Sequence, residues 1–191
     1  IDNIRQAIAA GDSSEFEAAR QRLVKYEEIS DRIEYEIAQF LNALPEDSIS
    51  EATRTETKRM YKIIGEMESL GDSGEAIGRI LKRKNAHGKA FDKSILDRLN
   101  KMIDLVQKGY DVMILNLKND NLSDISNAQN CEYNINECRN HLREEHIVNI
   151  ESNSYNYLTG VYYMDVLAEL EKIGDFLINV SQAIVGKYEY E

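Results

Sequence analysis

Tryptophan is absent from this chain of 191 residues, proline occurs once, at Pro45, and cysteine only twice. With so few helix breakers and with apolar residues recurring at three- and four-residue spacing, the pattern favours long amphipathic helices over sheet, so the expected fold is all-α. Cys131 and Cys138 lie seven apart on one predicted helix, hence about 10 Å from each other on one face, too far for a mutual disulfide. A zinc site would want more ligands nearby, and the two are expected to be reduced, cytosolic and structural. No apolar run approaches the roughly 18 to 20 residues that cross a bilayer, and no signal-peptide pattern is present. Positive charge is also scarce: 23 Lys and Arg stand against 34 Asp and Glu, a formal charge of −11. Such a surface repels phosphate backbones and anionic headgroups. The best basic stretch, "RILKRK" at 79–84, is short and sits where cations suit a helix end. Nucleic acid is not an expected partner, nor is direct membrane insertion.

What is present is a succession of caps and breaks that outlines a stub and five long helices. "IDNIRQAIAA" closes at Gly11, and "DSSE" at 12–15 has the form of a capping box opening a helix that Pro45 stops. "SISE" at 48–51 opens the next, which runs through "RILKRK" to the loop "NAHG" at 85–88. Further helices are expected over about 91–117, from the turn-rich 118–124 to about Ile150, and over about 155–185. The chain begins at Ile1, inside a predicted helix and without an initiator methionine, which predicts a fragment of something longer.

One motif occurs twice. "EMESLGD" at 66–72 and "ELEKIGD" at 169–175 align with a constant offset of 103, and Ile63, Met67, Leu70, Ile77 and Leu81 map by that offset onto Val166, Leu170, Ile173, Val180 and Ile184. Motif and apolar register agree, as in a duplicated helix. The preceding helices correspond more loosely: Glu27 and Asp31 match Glu132 and Asn136 at an offset of 105, one candidate register among a few. Three helices per repeat would make the stub the tail of a first helix, with about 15 to 20 residues of it missing.

Four pairs thereby share one geometry: Glu27 with Asp31, Glu68 with Asp72, Glu132 with Asn136, and Glu171 with Asp175. Residues four apart lie one above the other on a helix face, where two carboxylates repel unless a cation or basic partner offsets the cost. At about 100° per residue the pairs fall to one side of the apolar stripes, including the Tyr26/Ile33/Ile37/Leu44 stripe. They should line an outer groove between neighbouring helices. All-oxygen ligation suits magnesium, calcium, manganese or iron, whereas zinc usually recruits histidine or cysteine. Acidic pairs on charged helices are also commonly nothing more than solvated face. His87, His141 and His146, and Tyr155, Tyr157, Tyr162 and Tyr163, are read as structural, packing or exposed residues. Gly71 and Gly174, each just before its aspartate, cost helix stability and should serve close helix approach.

"ELEKIGDFLINV" and "EMESLGDSGEAI", each preceded by a helix with an i, i+4 pair, resemble the PhoU family of phosphate-uptake regulators. The longer strings "YEEISDRIEYEIAQFL" and "GVYYMDVLAELEKIGDFLINVSQAI" are similar to the PhoU-type cytoplasmic tail of bacterial sodium/phosphate cotransporters. The resemblance implies a tandem pair of three-helix bundles, over 1–88 and 89–191, with the first helix truncated. It further implies iron, zinc or manganese held by Glu27, Asp31, Glu68, Asp72, Glu132, Asn136, Glu171 and Asp175. The implied role is non-catalytic: regulation of phosphate uptake through contact with a membrane transporter domain of the same polypeptide, on the cytoplasmic side of the inner membrane, with self-association as a homodimer a further expectation. Two departures stand out. Asn136 replaces an expected aspartate, and Ala76 stands where the second repeat has Asn179. A metal-free helical adaptor or oligomerisation module remains the alternative. A carboxylate-bridged metalloenzyme is disfavoured, since no glutamate here has histidine three residues on.

Overall fold

The computed structural model describes residues 1–43, 50–119, 123–151 and 156–186. Every regular element among them is helical: α1 (Asp2–Ala9), α2 (Ser14–Asn42), α3 (Glu51–Ala86), α4 (Lys93–Leu117), α5 (Ser126–Glu151) and α6 (Tyr157–Ile184). Side-chain caps set most of the starts. The Ser13 hydroxyl accepts from the Phe16 N–H at 3.2 Å, so α2 begins one residue later than a cap at Asp12 would place it. Ser50 accepts from Thr53 at 3.1 Å, Asp92 from Ile95 at 2.8 Å and Asn156 from Leu158 at 3.0 Å. Each removes an orphan N–H from a helix N-terminus. The expected stop at Pro45, with Leu44, Ser48 and Tyr155, lies outside the described residues. Gly11 and Gly88 adopt φ of 62° and 61° after α1 and α3, the left-handed turn that lets the chain reverse.

Antiparallel α3 and α6 form the central pair, tied by Asn179 Nδ2 donating to Glu66 Oε2 at 2.9 Å and by Arg59 donating to the Ile184 carbonyl at 3.0 Å. α2 packs on α3, α4 and α5 pack on α6 and on each other, and α1 touches α2, α3 and α4. The deepest core is α4 against α6, where Leu99, Met102, Ile103, Val166, Leu167 and Leu170 are fully buried.

One expectation needs correction. Tyr26 and Ile33, assigned to a core stripe, are 59% and 50% exposed, and Met67 is 42% exposed. Periodicity identified an apolar face correctly, but eight-residue α1 covers α2 only near Phe16, Ala19 and Leu23. "RILKRK" ends α3 as expected, with Arg83 and Lys84 in its last turn; Lys84 is buried, its Nζ 4.7 Å over the Phe91 ring, and Arg79 pairs with Glu75 at 2.7 Å.

Candidate functional site

The repeated glycines mark two helix crossings. A Cβ added at Gly71 would stand 2.3 Å from Ser30 Oγ and 3.5 Å from the Glu27 Cα, and one at Gly174 would stand 3.0 Å from both Cδ1 and Cγ2 of Ile135. Ser30 to Ile135 is an offset of 105, and Gly71 to Gly174 one of 103. The contacts therefore follow the register that places Glu27 and Asp31 opposite Glu132 and Asn136.

At the first crossing, Glu27 and Asp31 of α2 and Glu68 and Asp72 of α3 border one groove. Glu27 and Glu68 are half-buried, Asp31 and Asp72 exposed. Burial raises the Glu27 carboxyl above its ordinary pKa, with Asp31, Asp72, Glu75 and Glu28 adding to the shift. Glu68 is raised by burial, then by Asp72, Glu34 and Asp31, against a weak opposing hydrogen bond from Ser69. Carboxylates on each helix thus feel those on the other. Among the described residues, no lysine or arginine forms an ion pair with these four. Glu34 and Glu75 belong to the same acidic surroundings and extend both pairs to an i, i+4, i+7 row, a spacing visible in the sequence that the pairwise reading passed over.

The second crossing is built differently. Asn136 Nδ2 donates to the Glu132 carboxylate, and Arg139 of α5 reaches Glu171 of α6 at 2.9 Å. Asp175, half-buried, is pushed up to about 6 by burial, with Glu171 and Glu132 adding and Arg139 opposing. Arg139 occupies the position that Glu34 holds at the first crossing, by the offset of 105. Three differences, Asp31 to Asn136, Glu34 to Arg139 and Glu75 to Ile178, thus separate an acidic groove from one that carries its own cation.

These grooves differ in fitness for a metal. In the first, Glu27, Asp31, Glu68 and Asp72 are hard oxygen donors with no cationic partner among the described residues, a set suited to manganese, iron, calcium or magnesium. In the second, Glu132 and Glu171 are already engaged. No three His, Cys, Asp or Glu side chains among the described residues converge closely enough to hold an ion, so ligation at the first groove requires the carboxylates to swing together. The histidines lie elsewhere: His87 meets the Tyr162 hydroxyl, His146 tilts against Tyr163, and His141 is 3.7 Å from Glu145. Cys131 and Cys138 are free and buried, and burial raises both thiols. Asn179 serves the α3·α6 seam through Glu66, which Lys62 also reaches at 2.5 Å.

Comparison of the chain with protein-family models, with curated proteins and with solved structures finds no match in any of the three. No helix among the described residues is long and apolar enough to cross a membrane.

Proposed function

We propose that the chain is a tandem of two three-helix units, 1–88 and 89–191, acting as a non-catalytic, cation-binding regulatory module of the PhoU kind. The observation that carries this reading is the recurrence of one crossing, Ser30 on Gly71 and Ile135 on Gly174, with acidic side chains flanking both. A cation drawn into the first groove relieves the repulsion among Glu27, Asp31, Glu68 and Asp72 and favours closer approach of α2 and α3. Arg139 plays the equivalent part permanently between α5 and α6. One crossing then responds to its surroundings while the other is constant, and ligand-dependent spacing biases a docking face. In the reading carried over from the sequence resemblance, that face serves a sodium/phosphate transporter at the cytoplasmic side of the inner membrane, and the metal is iron, zinc or manganese; the all-oxygen donor set favours manganese or iron over zinc.

Elemental analysis and calorimetry with manganese and ferrous iron test the proposal. Wild type should take up metal at one groove; Asp31→Asn/Asp72→Asn should lose it while keeping its helical circular dichroism. Asn136→Asp/Arg139→Glu should gain a second site. A folded wild type that binds neither metal would favour the metal-free adaptor.

A further inference from the structure

Where α1 turns back onto α2, small side chains leave a space unfilled. Ala9 and Ala10 at the end of α1 and Ala18 of α2, together with Gln6, Glu15 and Arg22, line a cleft of about 410 Å³. Volumes of this size take small molecules. Phe16, Ala19 and Leu23 are the buried residues in these turns of α2. Residues 15, 18 and 22, at i, i+3 and i+7, form the adjoining strip that edges the cleft.

Both ends of that strip are charged, and neither charge is answered. Seven of the eleven arginines pair with a carboxylate, but Arg22 does not. Its Nε donates to Asn3 Oδ1 at 2.8 Å and its Nη2 to Gln6 Oε1 at 2.6 Å. These two neutral acceptors on α1 fix the plane of the guanidinium without offsetting its charge. Nη1 donates to no group among the described residues, which leaves its N–H pair to receive an anion. At the other end, Glu15 forms no ion pair or hydrogen bond among the described residues. The two residues stand about 10 Å apart along the helix at 1.5 Å per residue, with Ala18 between them.

We infer that this cleft binds an amino carboxylate whose two charges are held apart by a short aliphatic chain. The carboxylate meets Arg22, the methylenes lie over Ala9, Ala10 and Ala18, and the ammonium points toward Glu15. Charge and length exclude simpler occupants. A plain carboxylate leaves Glu15 unanswered, a plain amine leaves Arg22 unanswered, and free glycine, whose charges are adjacent, reaches only one end. A chain of about five methylenes spans the interval. Two sources carry this chemistry, a free amino carboxylate and a lysine at a peptide C-terminus, and the test tells them apart. The cleft edges the first turns of α2, whereas the acidic groove begins at Glu27, so the inference stands whether or not that groove holds a cation.

Calorimetry on the whole 191-residue chain tests this with ε-aminocaproate, which should saturate at one ligand per chain. Caproate, hexylamine and free glycine should each bind at least about tenfold more weakly, through loss of one charge-assisted contact. Arg22→Gln and Glu15→Gln, each checked for retained helical circular dichroism, should weaken binding by a similar factor. Ala18→Leu changes neither charge and fills the cleft from an exposed position, so it should abolish binding in a folded chain. A short peptide ending in lysine is run alongside. Tighter binding of the peptide identifies a chain terminus as the natural occupant, and tighter binding of ε-aminocaproate identifies a free small molecule; both support the inference. No saturable binding of either, equal affinity for caproate, or unchanged affinity in folded Ala18→Leu overturns it.

Discussion

Asp72 and Asp175 hold equivalent positions, but their neighbours give them different chemistry. Asp72 sits exposed among carboxylates, whereas Asp175 is half-buried beside Glu171, Glu132, Asn136 and Arg139, and its pKa of about 6 stands above the ordinary 3.8. Because the native state holds this proton more tightly than the unfolded chain, stability contributed here falls as pH rises through that interval. The full cost is present above about pH 6 and absent below about pH 4. Thermal melts in the presence of chelator should therefore show Asp175→Asn more stable than wild type at pH 8, with the gap closing toward pH 4. A gap that stays constant with pH would mean that Asp175 keeps its ordinary carboxylate pKa in the fold. Arg139 shows why part of this site could not be read from the chain alone. The acidic pairs follow from residues four apart on one helix, but the bond from Arg139 to Glu171 depends on the register between two helices.

At the scale of the helix, glycine can be either a defect or a fitting. Gly65 has nothing within 4 Å of an added Cβ, so Gly65→Ala should stabilise the fold by about 0.5–1 kcal/mol through backbone entropy. Gly174 faces both branches of Ile135 at 3.0 Å, leaving no easy rotation, and Gly174→Ala should destabilise by about 1–3 kcal/mol despite the same entropic gain. Denaturant midpoints of the two variants provide the comparison, and a shift of the same sign in both would deny the close crossing. The sequence disclosed both the repeat and the role of Gly174, because motif and apolar register shared one offset. It also disclosed the helices and, through Gly11 and Gly88, the ends of α1 and α3, while the caps that set the starts of α2 and α4, Ser13 and Asp92, were not singled out by the pattern alone. What it did not disclose was cover. Periodicity marks Tyr26, Ile33 and Met67 as one side of a helix and is silent about whether another helix lies over them.

Over the whole molecule, burial is unevenly shared. The α4, α5 and α6 assembly encloses most of the fully buried side chains, while the later turns of α2 and the first turns of α3 bury few of theirs. Amides close to their native partners open with free energies set by local packing, from near zero at frayed regions to the global value in the core. Deuterium uptake followed by mass spectrometry should find residues 26–42 and 51–62 exchanging through local opening, and the α4 and α6 core only through global unfolding. Uniform protection along α2 would contradict this order. The eight-residue length of α1 is thereby also a statement about time. Where α1 ends its cover, the native state should open and reclose many times before the other side of the molecule opens once.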